Sequence, residues 1–154
     1  MKRSYAFHVM ALIFSFVLFS ILSIGNAQEK SDRWRLTGFT KHRDGLFVDM
    51  SRVNFTSPDI ARVWVRITPS AKSKYLSSIN HYLEIINKPG RGFKTIEILC
   101  DLDCSKDRIR FLKFAYFDKI GNMFHEADQD APAWLSIPPG NLWGTVTKEV
   151  CPKH

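Results

Sequence analysis

Three cysteines, Cys100, Cys104 and Cys151, hold the firmest chemistry in this 154-residue chain. Cys100 and Cys104 sit in a stretch, Phe93 to Cys104, whose apolar residues recur at every second position. A strand rises ~3.3 Å per residue, which puts their Cα atoms ~13 Å apart. A disulfide needs Cα atoms within ~7 Å, so these two do not pair while the strand is extended. Cys151 then bonds one of them or stays free. Cys104 ends the strand, where a returning tail reaches it, so the expected bridge is Cys104–Cys151. Cys100 becomes a buried thiol that behaves as a small hydrophobe. A reactive Cys100, or one bridging two chains, would need exposure that its inward row denies it.

Other chemistry is weaker. His42, His81, His125 and His154 show no metal-ligand spacing. His125 beside Glu126 and Asp128 is the best local cluster for a metal or haem ligand, but a solvated loop histidine is the ordinary reading, and no metal or cofactor is expected. Asp101 and Asp103, two apart on the outer side of a strand, would present a carboxylate pair. A solvated acidic strand face is the simpler account. A Cys–His nucleophile needs an accessible thiolate, which these cysteines do not offer. The chain is therefore expected not to be an enzyme. Trp64, flanked by Arg62 and Arg66, is the candidate binding surface, because tryptophan and arginine dominate protein recognition. The competing account has a helix covering that face, which would make Trp64 core.

The elements that must position these residues follow from periodicity. Trp34–Phe39 and Leu46–Met50 read as two strands around an Asp44-Gly45 turn. Ser51 to Pro58 reads as a connector. Ile60 to Thr68 alternates, with Ala61, Val63, Val65 and Ile67 on one face and Arg62, Trp64 and Arg66 on the other. Tyr75, Leu76, Ile79, Tyr82, Leu83 and Ile86 recur at three- and four-residue spacing, predicting a helix over about 70–87 with Ser70 as N-cap. Phe93–Cys104, Arg108–Phe117 and Met123–Glu126 read as further strands, and His125–Ala133 as a polar loop. Asn141 stands where a short C-terminal helix would be capped. The sum is an α+β domain: an antiparallel sheet of about six strands, with one inserted helix and a short C-terminal helix packed on it.

Lys2 and Arg3 precede an apolar run from Tyr5 to Ile24, and Gly25-Asn26-Ala27 supplies small residues before Gln28. That pattern reads as a secretory signal peptide over 1–27, leaving a single domain over 28–154 with its core in 34–151; the alternative is an uncleaved N-terminal anchor, since the apolar run is close to spanning length. No cysteine lies near residue 27, so lipid anchoring is not expected, nor is a membrane span after cleavage. An exported chain meets oxidising conditions, which favours the disulfide over a zinc site. Removing Lys2 and Arg3 from 22 basic residues leaves 20 against 15 acidic, a net +5. The charge is dispersed, as in Arg108 to Lys113, so a solubilising surface is favoured over a nucleic-acid face.

The strings Leu99-Cys-Asp-Leu-Asp-Cys104, Arg108-Ile-Arg-Phe-Leu112, Tyr116-Phe-Asp-Lys-Ile-Gly121, Trp134-Leu-Ser-Ile-Pro-Pro-Gly140 and Val150-Cys151 resemble the surface-adhesin protein E family. Trp34, Phe47-Val-Asp49 and Val63-Trp-Val-Arg66 extend the likeness through roughly Trp34 to Cys151. The resemblance implies an antiparallel sheet with accompanying helices, a Cys104–Cys151 bridge and a bacterial envelope protein. It also implies binding of host matrix and plasma proteins, with haem as an associated ligand. No ligand-binding residue can be carried over by motif. The expected function is an exported, non-enzymatic, adhesin-like module for a host or envelope protein, periplasmic or at the cell surface. The alternatives are a periplasmic envelope factor with no host partner and, more weakly, a haem-binding domain.

Overall fold

The structure is a computed structural model, and it describes residues 33–88 and 92–152. The expected signal peptide lies outside the described residues. Eight strands form one antiparallel sheet: β1 (Trp34–Phe39), β2 (Gly45–Asp49), β3 (Asn54–Ser57), β4 (Ile60–Thr68), β5 (Phe93–Asp103), β6 (Arg108–Asp118), β7 (Met123–Asp128) and β8 (Leu135–Ser136). Among the described residues two helices accompany them, α1 (Lys74–Ile85) and α2 (Leu142–Val150). The main path runs β1-β2-β4-β5-β6-β7. The six positions of that path match the sequence expectation.

Two flanks are shared. β2 pairs with Val65–Thr68 of β4, while β3 pairs with Ile60–Arg62. In the same way β7 takes Lys113–Phe117 of β6, and β8 takes Arg108 and Ile109. The connector expected over 51–58 is therefore partly a strand, preceded by a single 3-10 turn at Met50–Arg52. Its side chains are all exposed, so no apolar alternation marks it. The expected loop over 125–133 is likewise shortened, because β7 continues to Asp128.

One sheet face carries the apolar rows. Leu46, Val48, Val63, Val65, Cys100 and Leu102 are fully buried there, beneath Val146 and Val150 of α2. Burying a side chain of this size contributes roughly 1.5–3 kcal/mol. A second cluster gathers Leu83 of α1 over Phe93, Ile96, Ile98 and Tyr116. Both helices thus pack on the same face.

Helix ends follow local chemistry. Ser73, not the expected Ser70, caps α1: its hydroxyl oxygen accepts from the Tyr75 N–H at 3.2 Å. Ser70 is taken by the β1–β2 turn, where its N–H donates to Asp44 Oδ1 at 2.9 Å and its hydroxyl to the His42 carbonyl. That engagement starts the helix later than the expected residue 70. Asn87, at φ 53°, turns the chain after its last turn. Asn141 caps α2, its Oδ1 accepting from the Trp143 N–H at 3.0 Å. Cys104 and Cys151 are disulfide-bonded with Cα atoms 5.7 Å apart, which ties the end of α2 to the end of β5.

Candidate functional site

The opposite face of the sheet carries no helix among the described residues. Strand alternation alone decides what it presents. β4 contributes Arg62, Trp64 and Arg66, β5 contributes Glu97, Leu99, Asp101 and Asp103, and β6 contributes Arg108 and Arg110. The antiparallel register then sets opposite charges side by side. Arg62 and Arg110 flank Asp101 on its two sides, Arg66 faces Glu97, Arg108 faces Asp103, and Trp64 faces Leu99.

The side chains complete what the register begins. Arg62 grips Asp101 with two bonds, Nε to Oδ1 at 2.7 Å and Nη2 to Oδ2 at 3.1 Å. Arg110 reaches Oδ2 of the same carboxylate with Nε at 3.0 Å and Nη2 at 2.7 Å. Arg66 donates Nε and Nη2 to Glu97 Oε1, at 3.1 and 2.6 Å. Arg108 Nη2 donates to Asp103 Oδ2 at 2.7 Å. Paired guanidinium and carboxylate groups form the strong end of the hydrogen-bond range.

Three tryptophans lie among these arginines. Arg66 stands 4.0 Å over Trp34, Arg52 5.0 Å over Trp64, and Arg110 4.7 Å over Trp134. Arg108 also reaches Trp134, at 5.3 Å. Arg52 is itself held by Asp49, Nε to Oδ2 at 2.5 Å. Stacking a cation on an indole face adds about 0.5–1 kcal/mol where solvent is near.

Asp101 and Asp103 are 0% and 3% exposed. This corrects the expectation of a solvated acidic strand face. The carboxylates lie at the bottom of the layer, and the longer arginines close over them. Burial by itself would raise the Asp101 pKa, but the hydrogen bonds and charges of Arg62 and Arg110 outweigh it and hold the carboxyl below its ordinary value. Asp103 is held down in the same sense, burial again being overcome, here by Arg108 and Ser105. The hydrogen bond to Asp101 in turn raises the Arg62 pKa.

The structure thus brings Arg62, Trp64 and Arg66 onto one face, with Trp64 half-buried under Arg52 rather than under a helix. Sequence reasoning missed Trp34, Trp134, Arg52, Arg108 and Arg110 as members of this face. Arg108 and Arg110, straddling Ile109, carried a readable signal of alternation. The two tryptophans arrive from the two ends of the described chain, and nothing local marks them.

The cluster of His125 with Glu126 and Asp128 does not form. Those two acids turn to Lys113 Nζ, at 2.7 and 3.3 Å, because the chain there is a strand and not a loop. His125 instead stacks on Tyr116, with ring centroids 5.4 Å apart, and its Nε2 lies 3.3 Å from the Tyr82 hydroxyl. Burial pushes the Tyr116 pKa up to about 12. Among the described residues no group of three or more His, Cys, Asp or Glu side chains gathers around a common point. Cys100 is fully buried, and burial pushes its thiol pKa up.

Comparison with known proteins places this architecture. Residues 34–152 match the family described as surface-adhesin protein E. No curated protein matches the chain. Crystal form II of Haemophilus influenzae protein E is similar at 14% identity over 78% of this chain and 87% of its own, with a TM-score of 0.53. Protein E from non-typeable Haemophilus influenzae is similar at 12% identity over 80% of this chain and 78% of its own, also at 0.53. At such identities the likeness speaks for the fold: one antiparallel sheet with helices. Taken with a family match that runs from the first strand past the last helix, it leads to one assignment: this chain belongs to the surface-adhesin protein E family.

Proposed function

We propose that the protein is an exported, non-enzymatic, adhesin-like module that recognises a host or envelope protein through its helix-free sheet face. One observation carries the reading: three tryptophans and five arginines share that face, each arginine fixed by a carboxylate or an indole. Tryptophan and arginine supply most of the energy at protein interfaces. Fixing them beforehand lowers the entropy cost of docking. The face is also nearly neutral, with Arg52, Arg62, Arg66, Arg108 and Arg110 set against Asp49, Glu97, Asp101 and Asp103. A polyanion would find its cations already matched, which favours a protein over a nucleic acid.

The test is binding of the purified protein to panels of matrix, plasma and envelope proteins. Trp64→Ala and Trp134→Ala should weaken capture at least tenfold, while Tyr75→Ala, on the helix side, should leave it unchanged. Equal binding by all three variants would remove the proposed face. Protease shaving of intact cells places the module. Loss of a C-terminal tag supports a surface role. Protection until the outer barrier is opened supports the envelope factor with no host partner.

A further inference from the structure

The helix-covered face has a gap in it. α1 and α2 sit on the same side of the sheet, each over its own core cluster, and Ile67, Phe111 and Trp143 are shared by the two clusters. Between the helices lies an open crevice of about 730 Å³. Ile67, Ile96 and Ile98 form its floor, with Ile79 of α1 and Trp143 of α2 as opposing walls. That volume is within the range of sites for small organic ligands, about 300–1,000 Å³.

α1 is a wall here and not a seal. Leu83, in its last turn, is its one fully buried side chain. Its first turns carry Tyr75, Ser78 and Ile79 along the crevice, and Tyr75 is 57% exposed. Leu76 and Ile79 of those first turns also pack on the second cluster but stay only partly buried, so at that end the helix flanks an open apolar space.

The mouth has one sign of charge. Lys41, on the β1–β2 turn, is the only formally charged side chain among the described lining residues, and Arg43 is exposed on the same turn. The turn's own acid, Asp44, is buried and already accepts from the Thr40 hydroxyl at 2.7 Å and the Ser70 N–H at 2.9 Å. Hydroxyls from Thr40, Ser78 and Tyr75 line the remainder of the rim. An apolar floor with a single cation at its entrance complements a molecule with an apolar tail and one negative head.

We propose that this crevice binds a long-chain carboxylate, with the chain over Ile67, Ile96 and Ile98 and the head at Lys41. The site is on the sheet side opposite the arginine and tryptophan face, so it stands apart from the protein-recognition reading.

Trp143 makes the test direct. It is the one tryptophan lining the crevice; Trp34, Trp64 and Trp134 lie on the other face. A fatty acid brominated along its chain should quench the Trp143 fluorescence saturably, below its critical micelle concentration. Trp143→Phe should lose that quenching. Ser78→Trp, at an exposed helix position, should fill the crevice and abolish uptake, read by displacement of a fluorescent fatty acid. Lys41→Glu should weaken binding of the acid on the order of fivefold, as expected for one solvent-exposed charge pair, and should leave binding of its methyl ester unchanged. Circular dichroism confirms that each variant is folded. Absence of saturable quenching would overturn the proposal, as would quenching that survives Trp143→Phe or uptake that survives Ser78→Trp. Equal affinity of Lys41→Glu for the acid would overturn the head-group assignment. A ligand-free dimer dissociated by Ser78→Trp would give the crevice to a second copy of the chain instead.

Discussion

The two faces of this sheet solve burial in different ways. On one, apolar side chains from β2, β4 and β5 are covered by α1 and α2. On the other, side chains of the sheet cover one another, with arginines closing over carboxylates and lying on indoles. The first face is held by removal of apolar area from water, which is indifferent to direction. The second is held by directional bonds between groups at fixed register, which specify geometry more than they add stability. A face of the second kind stays available to a partner without being floppy. That difference is why the candidate surface is placed there.

Stability measurements can break or sharpen the contrast. The largest expected effect belongs to the covered face. Cys104→Ser with Cys151→Ser releases a 47-residue separation and should cost about 4 kcal/mol in the chain-entropy model. In a thermal melt this is on the order of 15 °C. Leu102→Ala, a fully buried truncation, should cost about 3 kcal/mol in urea denaturation.

Asp101→Asn should cost about 2 kcal/mol, because it removes a charge that two guanidinium groups share. It should also change the acid limb of stability. Asp101 and Asp103 titrate below their ordinary value in the folded state. The stability they contribute is complete above about pH 4, the unfolded carboxylate range, and is lost as pH falls through the native values. Asp101→Asn should flatten that loss as pH falls below about 4, measured by denaturation at stepped pH. Arg52→Ala should be the mildest, about 0.5 kcal/mol, since it removes one exposed cation from Trp64 and Asp49. If Arg52→Ala cost as much as Leu102→Ala, the second face would be another core, and its availability to a partner would be lost.

Cys100 probes the covered face without destabilising it. Its buried thiol should resist alkylation in native protein and react on unfolding, as read by mass spectrometry. Fast native labelling would mean that the face opens.

What the sequence disclosed was the local part of this plan. The alternation of Ile60–Thr68 separates Val63 and Val65 from Arg62 and Arg66 with no knowledge of the neighbours. Asn141 is legible as a cap because a cap acts within three residues. Ser70 is misleading for the opposite reason: a turn from near residue 42 claims its hydroxyl. β3 is silent because its strand faces water on both sides. The burial of Asp101 was unreadable, since the residues that bury it come from β4 and β6. The candidate face was half legible in the same sense: its row on β4 can be read, while Trp34 and Trp134 reach it through tertiary structure alone.

The order of the strands has a consequence for how the chain becomes this structure. Along the main path each strand pairs with the one made just before it or, across β3, nearly so. Hairpins of that kind can zip one after another as residues emerge, the β4–β5 pair being the exception because α1 lies between its strands. The helix at the end is different. Glu149 of α2 meets Arg35 of β1 across 114 residues of chain. Until Leu142–Val150 is made and docks, the growing sheet carries Val63, Val65 and Leu102 uncovered. The protein is therefore most prone to aggregate in the interval before its last helix arrives, and that helix acts as the closing step of assembly.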